Sequence, residues 1–235
     1  MTAPPGAEIQ AMFGEIAPQY DLLNRVLSFG IDRRWRRRLV RELGLGPRHR
    51  ILDLCCGTGD LALALADTGA AVVGADFTGP MLPLARDKAA RSERPLHLAR
   101  ADAQALPFAA GSYDAVTIAF GIRNVEDPLQ GLMECARVLR PGGRLAVLEF
   151  FPIRNRVWRW MFEGYFHHVL PRIARLTRAG RTGAYEYLPA SVAGFASPDQ
   201  FCDWIGQAGL CDASHHPLTG GVARLVLATR APEPA

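Results

Sequence analysis

Apolar positions change rhythm along this 235-residue chain. Between residues 9 and 43 they recur every three or four places (Ile9, Met12, Phe13, Ile16, then Leu22, Leu23, Val26, Leu27), the period of a helix face. Pro18 and Ser28–Gly30 divide this stretch into two or three helical pieces. From Arg50 onward short apolar runs alternate with helical patterns. The strands predicted are RILDLC (50–55), AVVGAD (71–76), LHLARAD (96–102), YDAVTIAF (113–120) and RLAVLEF (144–150). Helices are predicted at 60–68, at 80–91 despite Pro83, and at 128–139, where RPGG (140–143) ends the last. Strands alternating with helices predict an α/β fold with a parallel, doubly wound sheet covered on both faces. Beyond residue 150 the chain is long, aromatic and Arg-studded (150–176) and reads as helical up to Pro171. Ser197 and Pro198 then predict a helix start and Gly209 its end, and 211–218 and 223–230, joined through TGG, predict a closing antiparallel hairpin. Residues 1–6 and 231–235 are expected to fray.

Composition narrows the class without settling function. At 49% apolar and 21% charged residues the chain is neither fibrous nor disordered. Its length suits a single α/β domain, 1–235, that needs no metal or disulfide for stability. No apolar run reaches the ~20 residues of a membrane span. The first residues lack a basic start followed by an apolar stretch, so the expectation is a cytoplasmic protein. Five cysteines without metal-ligand spacing read as free thiols. The histidine pairs 167–168 and 215–216 point apart along a helix or strand, so no metal site is expected.

The net charge of +4 is unevenly spread: residues 1–50 carry +4, 51–150 carry −3, 151–182 carry +6 and 183–235 carry −3. In the 151–176 stretch Trp158, Trp160, Phe162, Tyr165 and Phe166 stand among Arg154, Arg156 and Arg159. That mixture leaves open peripheral contact with anionic membrane headgroups and a core or homodimer interface, and no nucleic-acid partner is expected.

The chemistry concentrates at the first strand-to-helix turn, Asp53-Leu54-Cys55-Cys56-Gly57-Thr58-Gly59-Asp60. Glycines there let a ligand approach the backbone at the carboxyl edge of the sheet. Gly57-x-Gly59-x-x-Ala62 also satisfies a dinucleotide fingerprint, which keeps an NAD-dependent oxidoreductase as an alternative. Asp53 and Asp60 would repel a pyrophosphate but welcome a ligand carrying an ammonium and a sulfonium, such as S-adenosylmethionine (SAM). Asp76, at the end of the second strand, can accept ribose hydroxyls, and Asp102-Ala103, after the third, can meet the adenine amino group. Any one of these acids could instead be a helix cap. No Tyr-x-x-x-Lys pattern supports the oxidoreductase, because Lys88 is the only lysine.

Several motifs together resemble one family. The glycine loop, Asp102–Phe108 and RPGG before a strand resemble the Class I SAM-dependent methyltransferases. Tyr20–Asn24 followed by Ser28–Arg33 and Trp35 is similar to one signature of the ubiquinone/menaquinone biosynthesis C-methyltransferases, and Arg137–Phe150 is similar to the other. Phe120–Val125 and His168–Arg172 also match, and the resemblance spans roughly residues 10–230. It implies a mostly parallel seven-stranded sheet with a C-terminal antiparallel hairpin. The expected parts are a helical cap (9–43), a SAM-binding core (44–150), a substrate- or membrane-facing insertion (151–196) and a closing helix and hairpin (197–230). The implied reaction is SAM-dependent methylation of a ring carbon of a polyprenylated quinol, with another lipophilic phenol as alternative. The expected cofactor residues are Asp53, Gly57, Thr58, Gly59, Asp76, Asp102 and Ala103. Arg123 and Asn124 are expected to hold a quinol oxygen, and Tyr20 to cap the pocket or bond a ring oxygen. Arg123 could instead pair with a nearby acid such as Glu126. The sequence departs from the family at Cys55-Cys56-Gly57 and at Ala119, where a serine hydroxyl is common.

Overall fold

The computed structural model describes residues 6–28, 30–92, 94, 96–153, 164 and 184–232. Three N-terminal helices, α1 (Gly6–Ile16), α2 (Tyr20–Ser28) and α3 (Asp32–Leu43), precede the sheet, with a 3-10 turn at Ala17–Gln19. Pro18 falls in that turn. Seven strands follow: β1 (Arg50–Leu54), β2 (Ala71–Asp76), β3 (His97–Arg100), β4 (Tyr113–Ala119), β5 (Leu139–Phe150), β6 (Leu210–Leu218) and β7 (Ala223–Arg230). Between them lie α4 (Asp60–Ala66), α5 (Met81–Ser92), α6 (Pro128–Val138), α7 (Ala184–Ala193) and α8 (Pro198–Gln207).

The sheet order is β3-β2-β1-β4-β5-β7-β6. The first five strands are parallel and β7 runs antiparallel between β5 and β6, so the expected parallel sheet with its closing hairpin is present. Successive side chains of a strand face opposite sides, and both sides are covered. Leu52, Val116, Val147 and Val226 pack with Leu132 of α6 and Phe201 of α8. Ile51, Ala115, Leu148 and Leu225 pack with Trp35 and Leu39 of α3 and Leu65 of α4. Burial on both faces is why these strands are apolar throughout instead of alternating.

Local chemistry sets the element ends. Pro83 is the third residue of α5, within the first turn, where a missing N–H costs no helical bond. Ser197 caps α8 in a reciprocal box with Gln200, and Pro198 opens that helix. Of the boundaries that differ from expectation, two have a visible cause. RPGG ends α6 but belongs to β5: Tyr113 pairs with Leu139 and Ala115 with Arg144, so the extra residues bulge from the ladder. β3 stops at Arg100 because Asp102 turns back to bridge Ala105. Most of the 150–176 stretch, with Trp158, Trp160, Arg159 and the His167-His168 pair, lies outside the described residues, and no helix among those described is long and apolar enough to cross a membrane.

The sheet reverses direction between β1 and β4, and there the two strand ends press together. A Cβ on Gly121 would stand 2.3 Å from Cys55 Cβ, so only glycine fits. Gly121→Ala should cost about 2–3 kcal/mol by overpacking, a Tm fall of roughly 5–10 °C. Adding Cys55→Gly, which removes the opposing atom, should restore most of it. Equal melting curves for the single variant and the parent would contradict this contact.

Candidate active site

Ligands of doubly wound sheets bind where the strand order reverses, at the carboxyl edge. Here the backbone itself is bent for the purpose. Cys55 and Phe120, the residues after β1 and β4, both take left-handed conformations (φ 54° and 60°) that non-glycine residues adopt at a cost. Gly57 (φ 53°) turns its N–H onto Asp76 Oδ2 at 2.7 Å, while Thr78 N–H donates to Asp76 Oδ1 at 2.7 Å. The carboxylate ending β2 thus braces the turn following β1. Gly59 stands behind, where a Cβ would meet Ala85 Cβ of α5 at 3.2 Å.

Three recesses open from this edge. The first, with an empty volume of about 860 Å³, is lined by Gly57, Asp76, Asp102, Ala103, Gly121 and Asn124. Its floor accepts as well as donates: Asp102 Oδ1 takes the Gln104 N–H at 2.9 Å and keeps lone pairs free. The second, about 710 Å³, lies under the N-terminal helices and α7 and is lined by Asp32, Arg36, Phe120, Arg123, Phe150 and Tyr187. Phe120 and Phe150 stack there at 4.6 Å between centroids. The Arg36 guanidinium lies over the first ring at 5.5 Å and that of Arg123 over the second at 5.7 Å. The third, about 320 Å³, is lined by Arg36, Asp53, Gly57, Thr58 and Asp60. Tyr20, the first residue of α2, lines all three.

The buried charges at this edge are set by burial and pairing. Arg123 Nη1 donates to Glu149 Oε1 at 2.7 Å and to the Phe120 carbonyl at 2.8 Å, and Arg123 Nε donates to Ser191 Oγ at 3.3 Å. Glu149 is fully buried; burial pushes its carboxyl up, and Arg123 opposes that. Burial likewise raises Asp76, against the N–H bonds from Thr78 and Gly57. Asp53 is pushed up to about 7 by burial, although Thr117 Oγ1 donates to its Oδ1 at 2.7 Å. Its other oxygen, Oδ2, is buried with no partner. Burial also raises the Tyr20 phenol, offset by a hydrogen bond with Asn24 and by the charges of Arg36 and Arg123.

Residues 1–230 match the model of the ubiE/COQ5 methyltransferase family. The chain belongs to the ubiE/COQ5 methyltransferase family. It is 51% identical over 223 residues to the demethylmenaquinone methyltransferase of Thermus thermophilus, covering 93% of this chain and all of that one. It is 46% identical over 230 residues to the ubiquinone/menaquinone biosynthesis C-methyltransferase UbiE of Geobacter sp. strain M21, covering 96% and 97%. Its fold is similar to that of a SAM-dependent methyltransferase from Aquifex aeolicus, with a TM-score of 0.66 at 17% identity over 93% of this chain and 98% of that one.

Within this methyltransferase the expected site residues divide. Gly57, Asp76, Asp102, Ala103 and Asn124 share the first recess, and Tyr20 stands where it meets the second. Asp53 and Thr58 line the third. The Thr58 hydroxyl donates to Asp21 Oδ1 of α2 at 2.6 Å and accepts from Lys88 Nζ at 2.9 Å. Asp60, expected to face a cationic ligand, instead takes the Lys88 ammonium at 2.6 Å; burial raises its carboxyl, but Lys88 outweighs this and holds it below the usual range. The one lysine thereby ties α2 and α4 to α5. Arg123 reaches the second recess, but its acid is Glu149, not Glu126, which is exposed. Asn124 Oδ1 accepts from the Tyr187 hydroxyl of α7 at 2.9 Å.

Reading the sequence missed Asp32, Arg36, Tyr187 and Glu149. Asp32 and Arg36 form an i,i+4 ion pair on α3, Asp32 inside the stretch that resembles a family signature and Arg36 just past it, and that spacing was the available signal. Glu149 lies inside the second signature stretch, Arg137–Phe150, but nothing local marks its partner 26 residues away, and nothing local marks Tyr187, whose partner is 63 residues away.

Arg123→Gln should leave Glu149 buried without its cation and lower stability by about 3–5 kcal/mol, as breaking one side of a buried pair does. Glu126→Gln, at an exposed position, should stay within about 0.5 kcal/mol of the parent. Chemical denaturation of both variants checks this; the reverse ranking would contradict the pairing.

Proposed function

We propose that the chain transfers a methyl group from SAM to a ring carbon of a polyprenylated quinol, with a demethylmenaquinol-type ring as the preferred acceptor. The observation that carries this reading is the meeting of an acid-lined recess and an aromatic, arginine-flanked recess along Phe13, Tyr20 and Phe120, which line both. The relatives' names, demethylmenaquinone methyltransferase and ubiquinone/menaquinone biosynthesis C-methyltransferase, support the choice of acceptor.

The residues present fit SAM. Asp76 and Asp102 each keep lone pairs toward the first recess, suited to ribose hydroxyls and to an adenine amino group. The unpartnered Oδ2 of Asp53 suits an ammonium. Bound SAM supplies an electrophilic methyl group. The protein's part is to align a ring carbon with it and to favour the phenolate that makes that carbon nucleophilic, and alignment alone can supply several kcal/mol. Arg123, held rigid by Glu149 and Phe120, presents fixed positive charge to the ring oxygen without needing to reorganise. Asn124, oriented by Tyr187, supplies its amide, and Tyr20 closes the junction over the reacting atoms. Among the described residues lining the second recess Asp32 is the one carboxylate, which makes it the acceptor for the phenolic proton in this reading.

Residues 9–43 act here as a cap over the core at 44–150, with Tyr20, Asp32 and Arg36 as its contributions to the site. From the stretch 151–196, Tyr187 and Leu188 of α7 join the substrate side, and 197–230 close the sheet. A lipid tail entering there would bring the protein to a membrane surface, and the exposed Leu22 of α2 supports that approach.

Transfer of labelled methyl from SAM to demethylmenaquinol, followed by mass spectrometry of the product ring, tests the reaction directly; no incorporation on any prenylated quinol would overturn it. A second measurement tests the cofactor assignment. Because the Asp53 carboxyl stands at about 7 and only its ionised form attracts an ammonium, affinity for S-adenosylhomocysteine should rise from pH 6 to pH 8. The gain below pH 7 should approach roughly tenfold per pH unit. Asp53→Asn should bind weakly and flatten the profile. A flat calorimetric profile in the parent protein would contradict the role of Asp53.

A further inference from the structure

Six of the nine arginines in residues 1–50 fall on α3, and the site described above uses one of them, Arg36. Helical spacing sorts the rest of the helix. Asp32, Trp35, Arg36, Leu39 and Leu43 recur at intervals of three and four and are buried against the sheet and the second recess. Arg33, Arg34, Arg37 and Arg41 lie on the opposite side, and all four are exposed. A groove with an empty volume of about 1110 Å³ runs along this side, with Arg34, Arg37 and Arg41 on one wall and Ala64, Asp67 and Thr68 on the other.

The acids beside this face are already engaged. Asp67 pairs with Arg94 at 3.0 Å, and Glu42 with Arg38 at 3.5 Å. Among the described residues no carboxylate pairs with Arg33, Arg34, Arg37 or Arg41. Arg33, Arg37 and Arg41 follow one another at i,i+4 spacing, where like charges destabilise a helix. The helix itself gains nothing from this arrangement, whereas an external polyanion would relieve it.

We propose that the outer face of α3 docks the protein on the anionic phospholipid headgroups of a membrane. The inference rests on the reading of a polyprenylated acceptor, which favours a bilayer over other polyanions, and adds to it the surface that meets the lipid. Guanidinium forks match phosphate oxygens two at a time. The apolar residues of α3, Trp35 and Leu39, are buried in the protein, so this helix has no apolar side to insert. Contact is therefore electrostatic and stays at headgroup depth. The same helix separates the lipid from the second recess, with Asp32 and Arg36 on its inner side and the four arginines on its outer side. The recess wall then stands roughly 10–12 Å, one helix diameter, from the docked surface. A ring held by its tail in the bilayer has a short way to travel.

The test is co-sedimentation of the full chain with vesicles of mixed phosphatidylglycerol and phosphatidylcholine, against vesicles of phosphatidylcholine alone. The parent should bind the anionic vesicles only, and raising salt from about 0.05 M to about 0.5 M should release it. Each basic residue at an anionic surface contributes roughly fivefold in affinity, so the triple variant Arg34→Gln, Arg37→Gln, Arg41→Gln should bind on the order of 100-fold more weakly. Its affinity for S-adenosylhomocysteine should stay at the parent value, while methylation of a long-tailed quinol presented in the anionic vesicles falls. The same three positions changed to lysine keep the charge and should retain most of the binding. Undiminished binding by the glutamine variant, or an equal loss in the lysine variant, would overturn the docking face. So would a parent that stays free of anionic vesicles, or one that binds duplex DNA in preference to them. A parent that docks but methylates no prenylated quinol, on vesicles or in detergent, would overturn the reading of the substrate and leave the docking face standing.

Discussion

Everything at the active edge depends on how closely two strand ends approach. β1 and β4 lie side by side, yet the chain leaves them in different directions, toward β2 through α4 and toward β5 through α6. The left-handed bends at Cys55 and Phe120 turn the backbone out of the sheet at that point, and Gly121 allows them to pack in contact. Such bends are unfavourable for residues bearing side chains and persist because the surrounding structure over-determines them. They are followed by three recesses in place of a continuous sheet edge.

The second organising feature is that the buried charges of this edge are, among the described residues, mostly paired. Arg123 has Glu149, Asp32 has Arg36, Asp76 has two backbone N–H groups, and Lys88 serves Asp21, Asp60 and Thr58. The fixed guanidinium groups flank a stacked Phe120–Phe150 pair, so the apolar second recess carries cations that cannot drift into solvent. A preorganised cation of this kind favours charge that develops on a ring oxygen without a cost of reorienting solvent. Among the described residues, Asp53 Oδ2 and Arg36 Nε are the buried side-chain atoms of this edge without a hydrogen-bond partner.

The N-terminal helices connect these features. Their contribution is not mainly to the core, although Trp35 and Leu39 of α3 pack on the sheet. They supply Tyr20 to all three recesses and Asp21 to the Lys88 network, and through Trp35 they reach Thr219 beside the closing hairpin. Polar contacts of Asp21 on α2 and Trp35 on α3 tie these helices to the core, and Met12, Phe13 and Ile16 turn an apolar side toward the second recess.

The sequence by itself determined the order of strands and helices, the parallel sheet with its antiparallel closure, and the carboxyl-edge position of Asp53, Gly57, Asp76, Asp102 and Ala103. These follow from local periodicity, from turn-forming residues and from the rule that strand ends share an edge, none of which needs a long-range contact. It also singled out Arg123, Asn124 and Tyr20, and the fold brings all three to the two larger recesses. Only the tertiary structure decided which charges meet. Arg123 has an acid three residues away in sequence but pairs with one 26 residues away, because its side chain turns inward to β5 while Glu126 stays outside. Asp60 looks like a ligand group until Lys88, from α5, occupies it. Arg36 is one arginine among several on α3 until helix packing buries it beside Asp53. Pairing of buried charge is a property of side chains converging from separate elements, and chain order carries no record of that convergence.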